Sequence, residues 1–104
     1  MAVTAKTLAR VAAATSNTTL YTVPTTSTTT VVTNVVVTNT SASSGTFTLN
    51  LDGVALLSGV SLAANSSAFF DMKQTLQANA TPKIISGSAS ATTMNFHISG
   101  VEIV

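Results

Sequence analysis

The chain has 104 residues, enough for one domain with a buried core, and 45% of them are hydrophobic while only 7% are charged. Four Lys and Arg residues against three Asp and Glu residues give a net charge of +1, too little for the basic stripe that nucleic-acid binding requires. The absence of cysteine excludes disulfides and thiolate zinc sites. Thr and Ser replace the missing charges, which favours strands with uncharged outer faces. Either partners cover these edges and faces, or the hydroxyl groups keep a monomer in solution.

The first 17 residues form a segment whose pattern fits more than one structure. Val3–Ala14 is Ala-rich, and its spacing suits a helical turn, an extended strand or an arm that orders against a neighbour. We therefore divide the chain into residues 1–17, an N-terminal arm or first strand with a possible role as a tether, and residues 18–104, a single sandwich domain. Arg10 interrupts the short apolar run, so a signal peptide is not expected, and no apolar run reaches the roughly 20 residues that span a bilayer.

Two strands are predicted next. Leu20–Val23 is a short strand that ends at Pro24, which has no N–H to donate to a ladder. Thr25–Thr30 connects it to Val31–Asn39, a long strand that is usually central or covered by a second layer because it is apolar on both faces. Simple alternation assigns its valines to two faces: Val31, Val35 and Val37 on one, and Val32 and Val36 on the other.

A β-hairpin is the clearest local feature. Ser41–Gly45 is a turn by composition, and Thr46–Leu51 then alternates between polar and apolar residues. Asp52 and Gly53 suit the two positive-φ positions of a type I′ turn, after which Val54–Leu57 returns as the partner strand. The hairpin should therefore have one face in the core and one in solvent.

Two further turns share the pattern Leu-x-Ala-Asn. They lie at Leu62–Asn65 and Leu76–Asn79, where the Asn residues tolerate a left-handed backbone. Each precedes a segment with the composition of a strand, Ser67–Met72 in the first case and Lys83–Ser88 in the second.

The C-terminal segment, Thr93–Val104, is predicted as a final strand whose apolar parity changes. The two groups of apolar residues lie on opposite sides of Gly100: Met94, Phe96 and Ile98 before it, and Val101 and Ile103 after it. A β-bulge near Ser99–Gly100 would turn both groups toward the core. The chain then has about seven or eight short strands, which is typical of an all-β antiparallel β-sandwich or jelly roll.

The sequence offers no catalytic or metal-binding constellation, so we expect no enzymatic activity and no cofactor. His97 is the only histidine, and alternation places it on the wet face of the last strand. The three carboxylates are dispersed along the chain, and no Ser or Thr has a base within a recognisable motif.

Five residues are candidates for an interface. Phe69 and Phe70 are adjacent in one predicted strand, so one of them faces away from the core and is a candidate anchor. Lys6 and Arg10 lie in the N-terminal segment, which is itself a candidate for contact with a neighbour. His97, as a surface or interface histidine, completes the set.

Several segments, taken in combination, carry a resemblance to a known group of proteins. They are Leu20–Pro24, the valine strand ending at Thr40, Gly45–Leu49, a Leu-x-Ala-Asn turn and Phe96–Ile103. Together they resemble small structural proteins encoded in the virion gene clusters of tailed bacteriophages, over the chain from about residue 20 onward. Thr25–Thr30 departs from the pattern, because relatives tend to have a Gly- or Ala-containing turn there. The resemblance implies a head decoration, neck or tail-associated protein of the virion.

This resemblance and the low charge lead to one main hypothesis and two alternatives. The main hypothesis is a capsid decoration (cement) protein, made in the bacterial host cytoplasm, that stabilises the head by packing on the major capsid protein. A tail, neck or fibre-base protein of the virion is the first alternative, and a carbohydrate-binding adhesion module is the second. A homo-oligomer is expected, with a trimer as its form, and neither nucleic acid nor membrane is an expected partner.

Overall fold

The structure, a computed structural model, describes residues 2–25 and 28–104, and strands account for most of them. Within these residues eight strands follow one another: β1 Val3–Ala12, β2 Thr18–Thr22, β3 Thr29–Asn39, β4 Gly45–Leu51, β5 Val54–Leu62, β6 Ser67–Gln77, β7 Ile84–Ala89 and β8 Met94–Ile103. They confirm the predicted all-β class. The predicted connection over Thr25–Thr30 includes residues 26 and 27, which lie outside the described residues.

The strands form two four-stranded antiparallel sheets. Sheet I has the order β1-β8-β3-β6, and sheet II has the order β2-β7-β4-β5. The pairs β1–β8, β2–β7, β3–β6 and β4–β5 are nested, as in one long hairpin that has been rolled up. This strand order is that of a jelly roll, so the predicted β-sandwich is confirmed.

The N-terminal strand β1 is an edge strand of sheet I. It pairs with β8 along its whole length, from Val3 opposite Ile103 to Ala12 opposite Asn95. Leu8 and Ala9 from β1 are buried in the core. Val3–Ala12 thus forms a strand of sheet I that contributes to the core. The division of the chain after residue 17 stays a prediction.

The valine-rich β3 lies between β8 and β6, as expected for a strand that is apolar on both sides. A bulge at Thr33 changes which of its valines face inward. The buried valines are Val32, Val35 and Val37, whereas Val31 and Val36 are partly exposed on the outer face. The predicted grouping of Val31 with Val35 and Val37 is wrong because alternation restarts at the bulge.

The predicted bulge near Ser99–Gly100 is also misplaced. β8 alternates without a break, and the irregularities lie in the neighbouring strands, at Leu8 of β1 and Thr33 of β3. A Cβ at Gly100 would overlap the carbonyl oxygen of Val31 and come within 3.0 Å of Leu8 Cδ1. Glycine is needed there because the two flanking strands crowd the backbone. Because β8 has no bulge of its own, the apolar residues after Gly100 point to the outer face of sheet I.

Two of the three predicted left-handed turns have the expected backbone. Asp52 and Gly53 have φ values of 55° and 76°, which confirms the pair of positive-φ residues between β4 and β5. Asn65 has a φ of 53°, as expected for its turn. Asn79 is not among the described residues with positive φ; its Oδ1 instead accepts a hydrogen bond from the Thr81 N–H at 3.1 Å.

The core lies between the two sheets and is centred on Phe47 of β4. Its ring packs edge-on against Phe70 of β6 and Phe96 of β8, with centroids 6.2 Å apart in both pairs. Such pairs contribute about 0.5–1.5 kcal/mol each beyond the burial of their area. Aliphatic residues of both sheets surround the rings: Val35, Val37, Leu49, Ile85 and Ile98. Because these side chains point into the core, the residues that alternate with them along each strand point outward.

Candidate functional site

Three of the five candidate interface residues lie in one row across the outer face of sheet I. The register places Arg10 of β1 opposite His97 of β8, His97 opposite Val36 of β3, and Val36 opposite Phe69 of β6. Residues directly opposed on neighbouring strands point to the same side of a sheet. We call these four residues the cross-strand row. It spans the full width of the sheet and joins positions that are far apart in the sequence.

Phe69 and Phe70 point to opposite sides of β6, as the sequence predicted. Phe69 is 73% exposed, whereas Phe70 is partly buried and packs against Phe47. Phe69 is therefore the candidate anchor, and Phe70 belongs to the core. Burying a Phe side chain contributes about 1.5–3 kcal/mol, so the exposed ring marks a place where a partner would gain binding free energy.

Lys6 lies away from this face, in a polar cluster at the edge between the two sheets. Its Nζ is 3.2 Å from Glu102 Oε1 and 6.0 Å from the centre of the Tyr21 ring. The Tyr21 hydroxyl donates a hydrogen bond to Glu102 and lies 3.1 Å from the Thr30 hydroxyl oxygen. We call Lys6, Tyr21, Thr30 and Glu102 the clasp, because they join strands of both sheets. Lys6 thus has a structural partner within the chain.

The clasp shifts the acidity of two of its members. The pKa of Glu102 is lowered, chiefly by the hydrogen bond from Tyr21 and further by Lys6. Burial raises the pKa of Tyr21 to about 12, and its hydrogen bond to Glu102 acts in the same direction. A neutral phenol therefore donates to a charged carboxylate at neutral pH. The pair links the sheets and has no proton that titrates near neutral pH.

An apolar patch occupies the end of the same outer face. The register brings together Val3 and Ala5 of β1, Val31 of β3, and Val101 and Ile103 of β8. We call these five residues the outer patch. Val3 is 62% exposed, and the residues from β3 and β8 are partly exposed. The expectation that Val101 and Ile103 face the core is wrong, because the bulges that reset the parity lie in the neighbouring strands.

Charged residues are arranged unevenly on this face. Arg10 lies on the edge strand β1, whereas Asp71 and Lys73 lie on the opposite edge strand β6 with the outward parity of Phe69. The Asn34 side-chain amide donates to Asp71 Oδ1 at 3.2 Å. The other four charged residues of the chain form two ion pairs elsewhere: Lys6 with Glu102 at 3.2 Å, and Lys83 with Asp52 at 2.8 Å.

The outer face of sheet II is polar by comparison. The burial of Phe47 and Leu49 places Thr46, Thr48 and Asn50 of β4 on the opposite, outward side, with Ser88 of β7 beside Thr48. Hydroxyl and amide groups lose hydration when a partner covers them without hydrogen bonds. Sheet I has the outer face that carries the exposed Phe69 ring and the outer patch.

Outside the outer face of sheet I, the described surface has few side chains that could act as metal ligands or catalytic groups. Within residues 2–25 and 28–104, no three His, Cys, Asp or Glu side chains lie together in a way that could hold a metal ion. A groove of about 460 Å³ lies between the β4–β5 turn and the end of β6, and its polar lining includes Asp52, Gln74, Gln77, Asn79 and Lys83. No aromatic residue is part of that lining.

Comparison with known proteins shows a likeness of fold. The sequence matches no protein-family model and no curated protein. The structure resembles a chain in the crystal structure of the T13 IBDV viral particle, with a TM-score of 0.57 and 12% sequence identity. The similarity covers 97% of the present chain and 30% of the IBDV chain, so the present chain spans under a third of its length. At this identity the likeness shows the fold alone, and the resemblance to bacteriophage virion proteins stays a prediction.

No helix in the described parts of the chain is long and apolar enough to cross a bilayer.

Proposed function

We propose that this protein is a non-enzymatic structural subunit of a virion that binds neighbouring virion proteins through the outer face of sheet I. The observation that carries the proposal is the exposed Phe69 ring, which shares that face with the outer patch. The likeness in fold to a chain of the IBDV viral particle supports a role in particle assembly. The polar outer face of sheet II leaves sheet I as the side that packs.

Within that role we propose a capsid decoration protein that packs on the major capsid protein of a bacteriophage head. The resemblance of the sequence to bacteriophage virion proteins supports this position. Burial of one Phe ring contributes about 1.5–3 kcal/mol, and many copies bound across a symmetric shell give a large total effect. A protein in the tail, neck or fibre base would use the same face, but each particle would contain fewer copies of it.

Quantitative mass spectrometry of purified particles tests both the role and the position. A head decoration protein should be present in a number comparable to that of the major capsid protein. A tail, neck or fibre-base protein should be present at a small fraction of that number. Absence of the protein from purified particles would overturn the proposed function.

A carbohydrate-binding module is the alternative from another class, and the polar groove beside Asp52 and Lys83 is the observation in its favour. Its weakness is the placement of the aromatic rings that sugars stack on. Phe69 is the exposed ring, and it lies on the outer face of sheet I; the others are partly or fully buried: Tyr21, Phe47, Phe70 and Phe96. Binding on a glycan array that Asp52→Ala abolishes would favour this alternative.

A further inference from the structure

The outer face of sheet I differs between its two edges in a way that makes it complementary to itself. Arg10 stands at the β1 edge, and Phe69 and Asp71 stand at the β6 edge, with Arg10 and Phe69 in the same row. Phe69 and Asp71 are two residues apart on one strand, which separates them by about 6.8 Å. An arginine side chain that lies over Phe69 can therefore also reach Asp71.

We propose that a second copy of this chain packs on this face, related by a two-fold axis that lies in the interface parallel to the strands. Such a rotation sets β1 over the partner's β6 and β8 over the partner's β3. Each set of residues that are directly opposed across the sheet then lies over the same set in the partner. Arg10 then lies over the partner's Phe69 and beside the partner's Asp71, and the same two contacts occur a second time by symmetry. A guanidinium over an aromatic ring and beside a carboxylate is a favourable arrangement for both groups.

The same rotation pairs the two central valines of the outer patch, and it sets the other members, Val3, Ala5 and Ile103, over the partner's Gln77, Thr75 and Thr29. Val101 of β8 lies over the partner's Val31, and Val31 lies over the partner's Val101, so the centre of the outer patch is covered by its own copy. A two-fold axis perpendicular to the strands would reverse the rows and set Arg10 and His97 against the partner's outer patch. The strand-parallel axis is therefore the one that brings Arg10 beside the partner's Asp71 and Val101 over the partner's Val31.

The remaining charge on the face, Lys73, is compatible with this pairing. It lies four residues from Phe69 along β6, which separates the two Cα atoms by about 13 Å. Asp71 lies between Phe69 and Lys73 on the same strand, about 6.8 Å from Lys73, so the carboxylate stands between Lys73 and the partner's Arg10. No like charges are brought directly together across the proposed interface.

The size of the face fits a stable pair. Four strands about 4.8 Å apart and about ten residues long make a face of roughly 19 Å by 33 Å, or about 600 Å² in plan. A standard interface buries about 800 Å² of accessible surface on each partner, and accessible area exceeds the plan area of a textured surface. Three charged residues lie on this face, Arg10, Asp71 and Lys73, and the proposed contact of Arg10 with the partner's Asp71 offsets part of their desolvation cost. We therefore infer a two-fold pair in place of the trimer expected from the sequence.

This inference rests on the proposed function's premise that the outer face of sheet I works by packing: the second copy covers that face in the free protein, and other virion proteins displace it when they bind there. The pair is tested in purified protein, apart from any particle. Sedimentation velocity over a range of concentrations would compare wild type, Arg10→Glu, Asp71→Lys and an equimolar mixture of the two variants. Either variant alone brings like charges together at both symmetric contacts. In the mixture, each Arg10→Glu chain faces an Asp71→Lys chain, and both contacts again join opposite charges.

Wild type should form dimers, each single variant should associate about tenfold or more weakly, and the mixture should associate more strongly than either variant alone, as a heterodimer. Lys83→Glu changes the net charge by the same amount as Arg10→Glu but lies outside this face, and it should dimerise normally. Circular dichroism verifies that each variant is folded. A wild-type monomer or trimer, or a mixture that associates no better than its components, would overturn the proposal. The presence of the protein in particles would stand in either case.

Discussion

The Tyr21 hydroxyl of β2 donates a hydrogen bond to the Glu102 carboxylate of β8, which ties sheet II to sheet I across 81 residues of sequence. Because the phenol proton is committed to Glu102, the Thr30 hydroxyl, 3.1 Å away, donates to the Tyr21 oxygen. Lys6 of β1 approaches the same carboxylate. Four strands thus meet at one negative charge, and the stability of the sandwich should depend on that charge.

Acid should weaken the fold through Glu102. Its pKa is lower in the folded state than the ordinary value of 4.5, so its stabilising contribution is complete above that pH and is lost as the pH falls through the folded-state value. Glu102→Gln removes the titrating group. Urea denaturation should therefore show a larger gap in unfolding free energy between wild type and variant at neutral pH than at about pH 3. Asp71→Asn is the control, and an equal gap at both pH values for Glu102→Gln would contradict the role of the clasp.

The adjacent residues Phe69 and Phe70 should have opposite phenotypes. Phe70→Ala removes a ring that packs on Phe47 and should cost about 2–4 kcal/mol of unfolding free energy. Phe69→Ala removes an exposed ring and should change stability by no more than about 0.5 kcal/mol while weakening self-association. Thermal unfolding and sedimentation measure the two effects. A large stability loss in Phe69→Ala would show that its ring belongs to the core.

Gly100→Ala should be strongly destabilising, because its Cβ would overlap backbone. Overpacking of this kind costs about 1–3 kcal/mol, and the carbonyl of Val31 has little room to move. Gly45→Ala is the matched control: its Cβ would meet Ser90 Oγ at 2.6 Å and Met94 Cε at 2.7 Å, and both are ends of side chains that can shift. Chemical denaturation should rank Gly100→Ala as the less stable variant. The reverse order would show that the flanking bulges relax.

Asn39→Ala should also cost about 2–4 kcal/mol of unfolding free energy. The Asn39 side chain is buried at the end of β3, where its amide donates to the Ser43 carbonyl at 3.0 Å and its Oδ1 accepts from the Ser41 N–H at 3.0 Å. Removal leaves backbone groups without partners. Thr38→Ala, whose hydroxyl bonds Ser67 at an exposed position, should lose much less when measured by the same denaturation.

Local patterns in the sequence predicted much of the fold. The alternation of Phe47 and Leu49, the turn at Asp52 and Gly53, and the central valine strand each depend on residues close together in the chain, and each is present in the structure. These features establish a β-sandwich because a strand must bury its apolar face.

Features that depend on neighbouring strands were not predictable in this way. The apolar pattern changes parity at Gly100, and this pattern does not tell whether a bulge lies in that strand or in the strands beside it. In the structure the bulges lie in the neighbouring strands, at Leu8 of β1 and Thr33 of β3. The outer position of Val101 follows from that difference. The cross-strand row likewise requires a strand order that sequence spacing does not encode, although Arg10, His97 and Phe69 were each singled out.

The most direct test of the central claim, that the outer face of sheet I binds within a virion, is the copy number of variant chains in purified particles. Cells that produce particles would express the wild-type chain, Phe69→Ser, or the control Thr46→Ala, which lies on the outer face of sheet II. Mass spectrometry would then measure how many copies of each chain the purified particles contain. Loss of about 1.5–3 kcal/mol of binding should reduce Phe69→Ser incorporation about tenfold or more at limiting expression, with Thr46→Ala unchanged. Equal incorporation of all three chains would contradict the claim.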